Sequence, residues 1–111
     1  MNSNIHITHV KTNSQNLEMW ISIDISNDIT TGHIFMTVEG NNKIKLLDAW
    51  VHEDYRRMGI YRSLWQARWE HILENYEGYT IYAWCKDTSL PLLLEKGFNK
   101  GEIATYVERK I

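Results

Sequence analysis

At 111 residues the chain is one domain, long enough for a real core and too short for two. Its 43% hydrophobic and 23% charged residues are ordinary globular composition, and a net charge of −2 argues against general polyanion binding. No apolar run approaches the roughly 20 residues of a membrane span. The start, MNSNIHITHV, has neither the basic n-region nor the apolar h-region of a secretory signal. The single cysteine, Cys85, has no partner for an internal disulfide, so a reducing, cytoplasmic setting is expected.

In chain order, Ile5, Ile7 and His9 alternate with His6, Thr8 and Val10, which predicts a short strand. After turn-like Lys11 to Asn16 comes a clearer strand, with Met19, Ile21, Ile23 and Ile25 on one face. Ser22, Asp24 and Ser26 lie on the other, and Trp20 breaks that polar side. Asn27-Asp28 and Thr31-Gly32 mark a turn, and His33 to Glu39 predicts a third strand. Gly40-Asn41-Asn42 is a tight hairpin connection. Ile44 to Val51 is apolar on both faces except at Lys45 and Asp48, the pattern of a central strand.

A charged connector, His52 to Arg57, and a single glycine, Gly59, follow. From Ile60 to Tyr76 the apolar residues Ile60, Leu64, Trp65, Trp69, Ile72, Leu73 and Tyr76 recur every three or four positions, which predicts a helix. Gly78 ends it, and Thr80 to Cys85 predicts a strand parallel to the one before the helix. Asp87, Thr88 or Ser89 caps a second helix, with Pro91 in its first turn and Gly97 as left-handed C-cap. A final β region begins at Phe98 and resumes over Ile103 to Arg109.

Strand, basic turn, glycine and helix make a unit suited to an anion. Free N–H groups at a helix N-terminus point outward, and the helix dipole adds roughly half a positive charge there. Arg56 and Arg57 place guanidinium groups beside them.

V-H-E-D-Y-R-R-M-G-I-Y-R-S-L resembles the acyl-coenzyme A signature of the GNAT N-acetyltransferases, V-x-P-x-Y-R-G-x-G-x-G/A-x-x-L. Val51, Tyr55, Arg56, Gly59 and Leu64 match it, whereas Glu53, Arg57 and Tyr61 replace a frequent Pro, Gly and Gly/Ala. Leu93-Leu94-Glu95-Lys96-Gly97-Phe98 resembles that family's closing L-Y-E-K-L-G-F, so the resemblance runs from about Leu17 to the end.

The resemblance implies an α+β fold over residues 1–111 in the order β-β-β-β-α-β-α-β. The sheet would be mixed and mostly antiparallel, with a splayed parallel pair around the crossover helix. Family members usually insert two helices between the first two strands; here only a short turn-like stretch is present, so the acceptor side should be open.

The implied activity is transfer of acetyl from acetyl-CoA to an amine, on a protein rather than a small molecule, with no metal. Trp50, Val51, Arg56, Arg57, Met58, Gly59, Ile60, Tyr61 and Arg62 would hold the donor. The family's usual Glu base and Tyr acid fall on Lys45 and Leu93, so both are absent. Asp48 and His33 are the substitute candidates for a base; His52, Tyr82, Tyr106 and Cys85 are further reactive groups with structural explanations. The alternative is a GNAT-fold module that binds a partner without turnover. Nucleic-acid binding through Arg56, Arg57, Arg62 and Arg68 is disfavoured by net acidity, no membrane partner is expected, and a homodimer is allowed.

Overall fold

The computed structural model describes residues 4–12, 16–84, 90–100 and 106–111, with the side chains of Asp48, Leu90, Lys100 and Tyr106 left aside. Four strands form an antiparallel meander: β1 (Ile5–Lys11), β2 (Leu17–Asp24), β3 (Ile29–Glu39) and β4 (Lys43–Val51). A 3-10 turn over Glu53–Tyr55 leads to α1 (Ile60–Asn75), then β5 (Thr80–Trp84) and α2 (Leu90–Glu95). Two short strands, β6 (Asn99–Lys100) and β7 (Tyr106–Lys110), complete a sheet of order β1-β2-β3-β4-β5-β7-β6. The proposed caps Asp87, Thr88 and Ser89, together with Cys85, lie outside the described residues.

β1 and β2 pair directly, from Ile5↔Asp24 to Lys11↔Glu18, so no helical layer intervenes between them. β3 starts earlier than the sequence suggests. Thr31-Gly32 belongs to the strand rather than to a turn, because Gly32 is where three elements meet. A Cβ there would sit 2.8 Å from the Trp50 carbonyl oxygen and 3.2 Å from Leu64 Cδ1. The crossover helix packs closely only because that atom is missing.

The core lies between the sheet and α1, built on Ile34, Met36, Ile44, Leu46, Ile60, Leu64, Trp65, Trp69, Ile72 and Ile81. α2 sits beside α1: Lys96 Nζ donates to Gln66 Oε1 at 3.3 Å, and the Trp69 and Phe98 rings are 5.6 Å apart. It ends in a left-handed Gly97 (φ 85°), with Phe98 N–H bonded to Leu93 O and Gly97 N–H to Leu94 O.

Two sequence expectations about faces need correction. The β2 face that α1 covers carries Trp20 with Glu18, Ser22 and Asp24; Met19, Ile21 and Ile23 lie half-buried on the opposite face. Each polar group on the covered face has a partner. Tyr76 Oη donates to Glu18 Oε2 at 2.6 Å, Thr31 Oγ1 to Ser22 Oγ at 2.8 Å, and Tyr55 Oη to Asp24 Oδ2 at 2.7 Å. On α1, Leu73 is 45% exposed while Arg68 takes a fully buried position.

Candidate functional site

β4 and β5 pair in parallel over only three positions, Lys43↔Thr80, Ile44↔Ile81 and Lys45↔Tyr82. Beyond them β4 continues to Val51 and β5 to Trp84 without pairing, so the two strands part. A right-handed twist on two strands that diverge opens a wedge at their C-terminal ends. In sheets with parallel crossovers that end is where ligands sit.

At the C-terminal end of β4, where it meets the connector and α1, is a cleft of about 570 Å³ lined by Ala49, Trp50, Val51, Tyr55, Arg56, Arg57, Gly59, Ile60, Tyr61 and Arg62. Eight of the nine residues that the sequence assigns to a donor site therefore line one space. The ninth, Met58, is 37% exposed and does not line it. A second hollow of about 280 Å³ between α1 and α2, lined by Arg62, Ser63, Trp65, Gln66, Leu92 and Lys96, shares Arg62 with the first.

The connector has the backbone such a cleft needs. Arg57 is left-handed (φ 65°), as is Gly59, the N-cap of α1 (φ 80°). A Cβ at Gly59 would meet nothing within 4 Å, so conformation rather than crowding selects glycine there. The first α1 bond runs from Ser63 N–H to Gly59 O at 3.0 Å. The N–H groups of Ile60, Tyr61 and Arg62, three residues that line the cleft, thus have no intrahelical acceptor.

Tyr55, the motif tyrosine, is a strut. Its hydroxyl bonds Asp24 at the end of β2, and Asp24 also takes the Asn27 amide at 2.7 Å. The Tyr55 bond, with Asn27 next, holds the Asp24 carboxyl below the usual carboxylate range, while the same bond pushes the Tyr55 phenol up. The connector is also tied to β3, since His52 N–H donates to Thr31 O at 2.7 Å. Arg56 folds back, its Nε donating to Val51 O at 3.2 Å in an exposed bond. Tyr61 lines the cleft and packs against the core.

Arg68, which the sequence brought up only in a disfavoured nucleic-acid surface, is buried by the fold. The cause lies in β4. Ile34 pairs with Ala49 and Met36 with Leu46, so Leu47 and Asp48 together oppose Phe35 in a β-bulge. Arg68 Nη1 reaches the two carbonyls there, donating to Phe35 O at 2.8 Å and to Leu47 O at 3.4 Å. Its guanidinium carbon lies 4.8 Å from the centre of a Trp65 ring, and Nε has no partner among the described residues. Burial pushes this guanidinium down to about 9, and the nearby Tyr61 works against that. At neutral pH it stays charged. Because a trans peptide sets its C=O and N–H in opposite directions, the Asp48 N–H points away from α1.

The candidate bases separate. His33 pairs with Trp50 across β3–β4, its ring 5.3 Å from the Trp50 ring and 4.6 Å from Phe35. Its Nδ1 is buried without a partner among the described residues. Asp48 sits in the bulge, and its carboxylate lies outside the described side chains. Leu93 is buried and Tyr82 Oη is bonded to Glu39 Oε1 at 2.7 Å. His52 is half-buried, its Nδ1 accepting from Asp54 N–H at 3.1 Å. Cys85 and the Tyr106 phenol lie outside the described parts. The sequence missed Arg68 and Gly32, because an arginine in a helical stripe and a glycine in a strand carry no local mark of what they touch.

No protein-family model matches the sequence, and comparison with curated proteins finds no match. Solved structures do match. A GNAT-family acetyltransferase from Staphylococcus aureus is similar at TM-score 0.67 and 18% identity, over 86% of this chain and 68% of that one. An IAA acetyltransferase from Bacillus cereus is similar at TM-score 0.67 and 11% identity, over 88% and 79%. A Bacillus anthracis protein assigned as a streptothricin acetyltransferase, in complex with acetyl coenzyme A, is similar at TM-score 0.52 and 17% identity, over 95% and 81%. The chain therefore has the GNAT acetyltransferase fold.

Proposed function

We propose that the protein is an N-acetyltransferase that passes acetyl from acetyl-CoA directly to an amine, with a protein lysine or N-terminus as acceptor. The parting of β4 and β5 beside a cleft of about 570 Å³, in a fold shared with an acetyltransferase solved in complex with acetyl coenzyme A, carries this reading. The pyrophosphate would lie against the N–H groups at the start of α1, with Arg56, Arg57 and Arg62 around it. The hollow that shares Arg62 would continue that surface toward the nucleotide. The thioester arm would enter the wedge and pair with the free edge of β4 near Trp50 and Val51. The Val51 carbonyl now bonded by Arg56 would then be released as the guanidinium turns to phosphate.

Amine attack generates an oxyanion and a proton. The Asp48 N–H, whose peptide carbonyl takes a bond from the Arg68 cation, is the candidate oxyanion donor. His33 and Asp48 are the candidates to take the proton. The acceptor would approach over the apolar sheet face left uncovered beside β2, where Met19, Ile21, Phe35 and Trp50 lie. An open approach suits a protein segment better than a small molecule that needs enclosure.

One observation favours a second reading, a partner-binding module without turnover: Leu93 is a core residue and supplies no acid to the leaving thiolate. Thiol release from acetyl-CoA with a panel of lysine peptides and small amines separates the two. The enzyme reading expects acceptor-dependent release that falls about 10²–10⁴-fold in whichever of His33→Ala and Asp48→Asn removes the base. Donor binding with no release from any acceptor selects the module.

A further inference from the structure

At the other end of α1 a second group of reactive side chains converges. His71 lies eleven residues beyond Ile60, about 16 Å along the helix from the cleft. Its Nε2 is 3.0 Å from Glu18 Oε1, and His9 Nε2 approaches the same oxygen at 2.8 Å. The three come from β1, β2 and α1, and their ligand atoms lie within 4.8 Å of one another.

We propose that His9, Glu18 and His71 bind one divalent transition-metal ion of the Zn²⁺ type. Two imidazole nitrogens and one carboxylate oxygen, with no thiolate, form a donor set that suits Zn²⁺ and its neighbours rather than Ca²⁺ or Mg²⁺. Bonds of about 2.0 Å to a tetrahedral ion put ligand atoms about 3.3 Å apart, so each imidazole nitrogen need retreat only a few tenths of an ångström from Glu18 Oε1, while the three ligand atoms, now within 4.8 Å of one another, draw together around the ion.

The ligands are held before any ion arrives. Glu18 is 1% exposed at its side chain, and its second oxygen accepts from Tyr76 Oη at 2.6 Å, which fixes where Oε1 points. The His9 ring stacks on Trp20 with centroids 4.5 Å apart and 13° between planes. The His71 ring sits edge-on to Trp20 at 5.5 Å and to Tyr76 at 5.8 Å. An ion on His71 Nε2 leaves the proton on Nδ1, and the exposed Asn75 amide, 3.3 Å from that nitrogen, can turn its oxygen to accept it. His9 and His71 side chains are 32% and 25% exposed, which leaves an entry path and room for a water as fourth ligand. Tying β1 to the C-terminal half of α1, far from the cleft, the ion would brace the fold rather than take part in acyl transfer.

The test uses the full, untagged chain, stripped with a chelator and titrated with Zn²⁺ by calorimetry and with Co²⁺ by visible absorption. One ion per chain, proton release on binding, and Co²⁺ bands of low coordination number are expected. His9→Ala and His71→Ala should each weaken Zn²⁺ binding by about tenfold or more, and Tyr76→Phe by about 10- to 100-fold. His6→Ala, an exposed histidine on β1, should change nothing. Glu18 is buried and its variants can fail to fold, so the two exposed ligands decide. No uptake by folded wild type, or uptake unchanged in both histidine variants, overturns the site and leaves a hydrogen-bonded cluster only.

Discussion

Arg68 Nη1 donates to Phe35 O at 2.8 Å, joining the middle of the crossover helix to the β3 residue that faces the β4 bulge. A buried cation whose partners among the described residues are two carbonyls and no carboxylate is costly, so what it holds must matter to the fold. Arg68→Met keeps most of the volume and leaves those carbonyls without their donor. We expect a loss of about 1–3 kcal/mol in urea unfolding. In an active enzyme kcat should fall while acetyl-CoA affinity stays. Stability equal to or above wild type would mean that removing the buried charge outweighs the stranded carbonyls.

The Tyr55–Asp24 strut predicts a pH window. Asp24 is depressed by the Tyr55 bond, so its contribution is complete above its unfolded value of 3.8 and is lost as pH falls through its lower folded value. Tyr55 is raised by the same bond, so its share is complete below its unfolded value of 10.0 and is lost as pH climbs through the folded one. Tyr55→Phe should therefore destabilise at pH 7, and the gap from wild type should narrow toward pH 2. A gap independent of pH would place the effect in ring packing.

Two neighbouring left-handed residues predict opposite responses. Gly59→Ala forces a Cβ into that conformation and should cost about 1–2 kcal/mol. Arg57→Gly relieves a similar cost but adds roughly 0.5–1 kcal/mol of backbone entropy. Its net effect should be a small gain in stability with weaker acetyl-CoA binding. Thermal unfolding and ligand titration on the two variants check both.

How much the sequence disclosed follows from what periodicity reports. Alternation located β2, an apolar run β4 and a three-to-four spacing α1, and eight of the nine proposed donor-site residues line one cleft, because each signal is local in the chain. Which face of β2 is covered is not local. Glu18 is satisfied by Tyr76, 58 residues away, and Asp24 by Tyr55, 31 residues away, so polar residues could take the covered side. The burial of Arg68 was not legible for the same reason, since its partners are backbone carbonyls at a bulge that no side-chain pattern announces. The His9–Glu18–His71 group has no characteristic spacing. Hairpin register and the docking of α1 assemble it.

Calorimetry with acetyl-CoA on wild type and Arg56→Ala tests most directly whether the cleft beside Gly59 is a donor site. The Arg56–Val51 bond is exposed, so the substitution should leave unfolding stability within about 0.5 kcal/mol. Wild type should bind one acetyl-CoA, with Arg56→Ala weaker by about 1–3 kcal/mol. No heat of binding at millimolar acetyl-CoA with folded wild type would contradict the donor site.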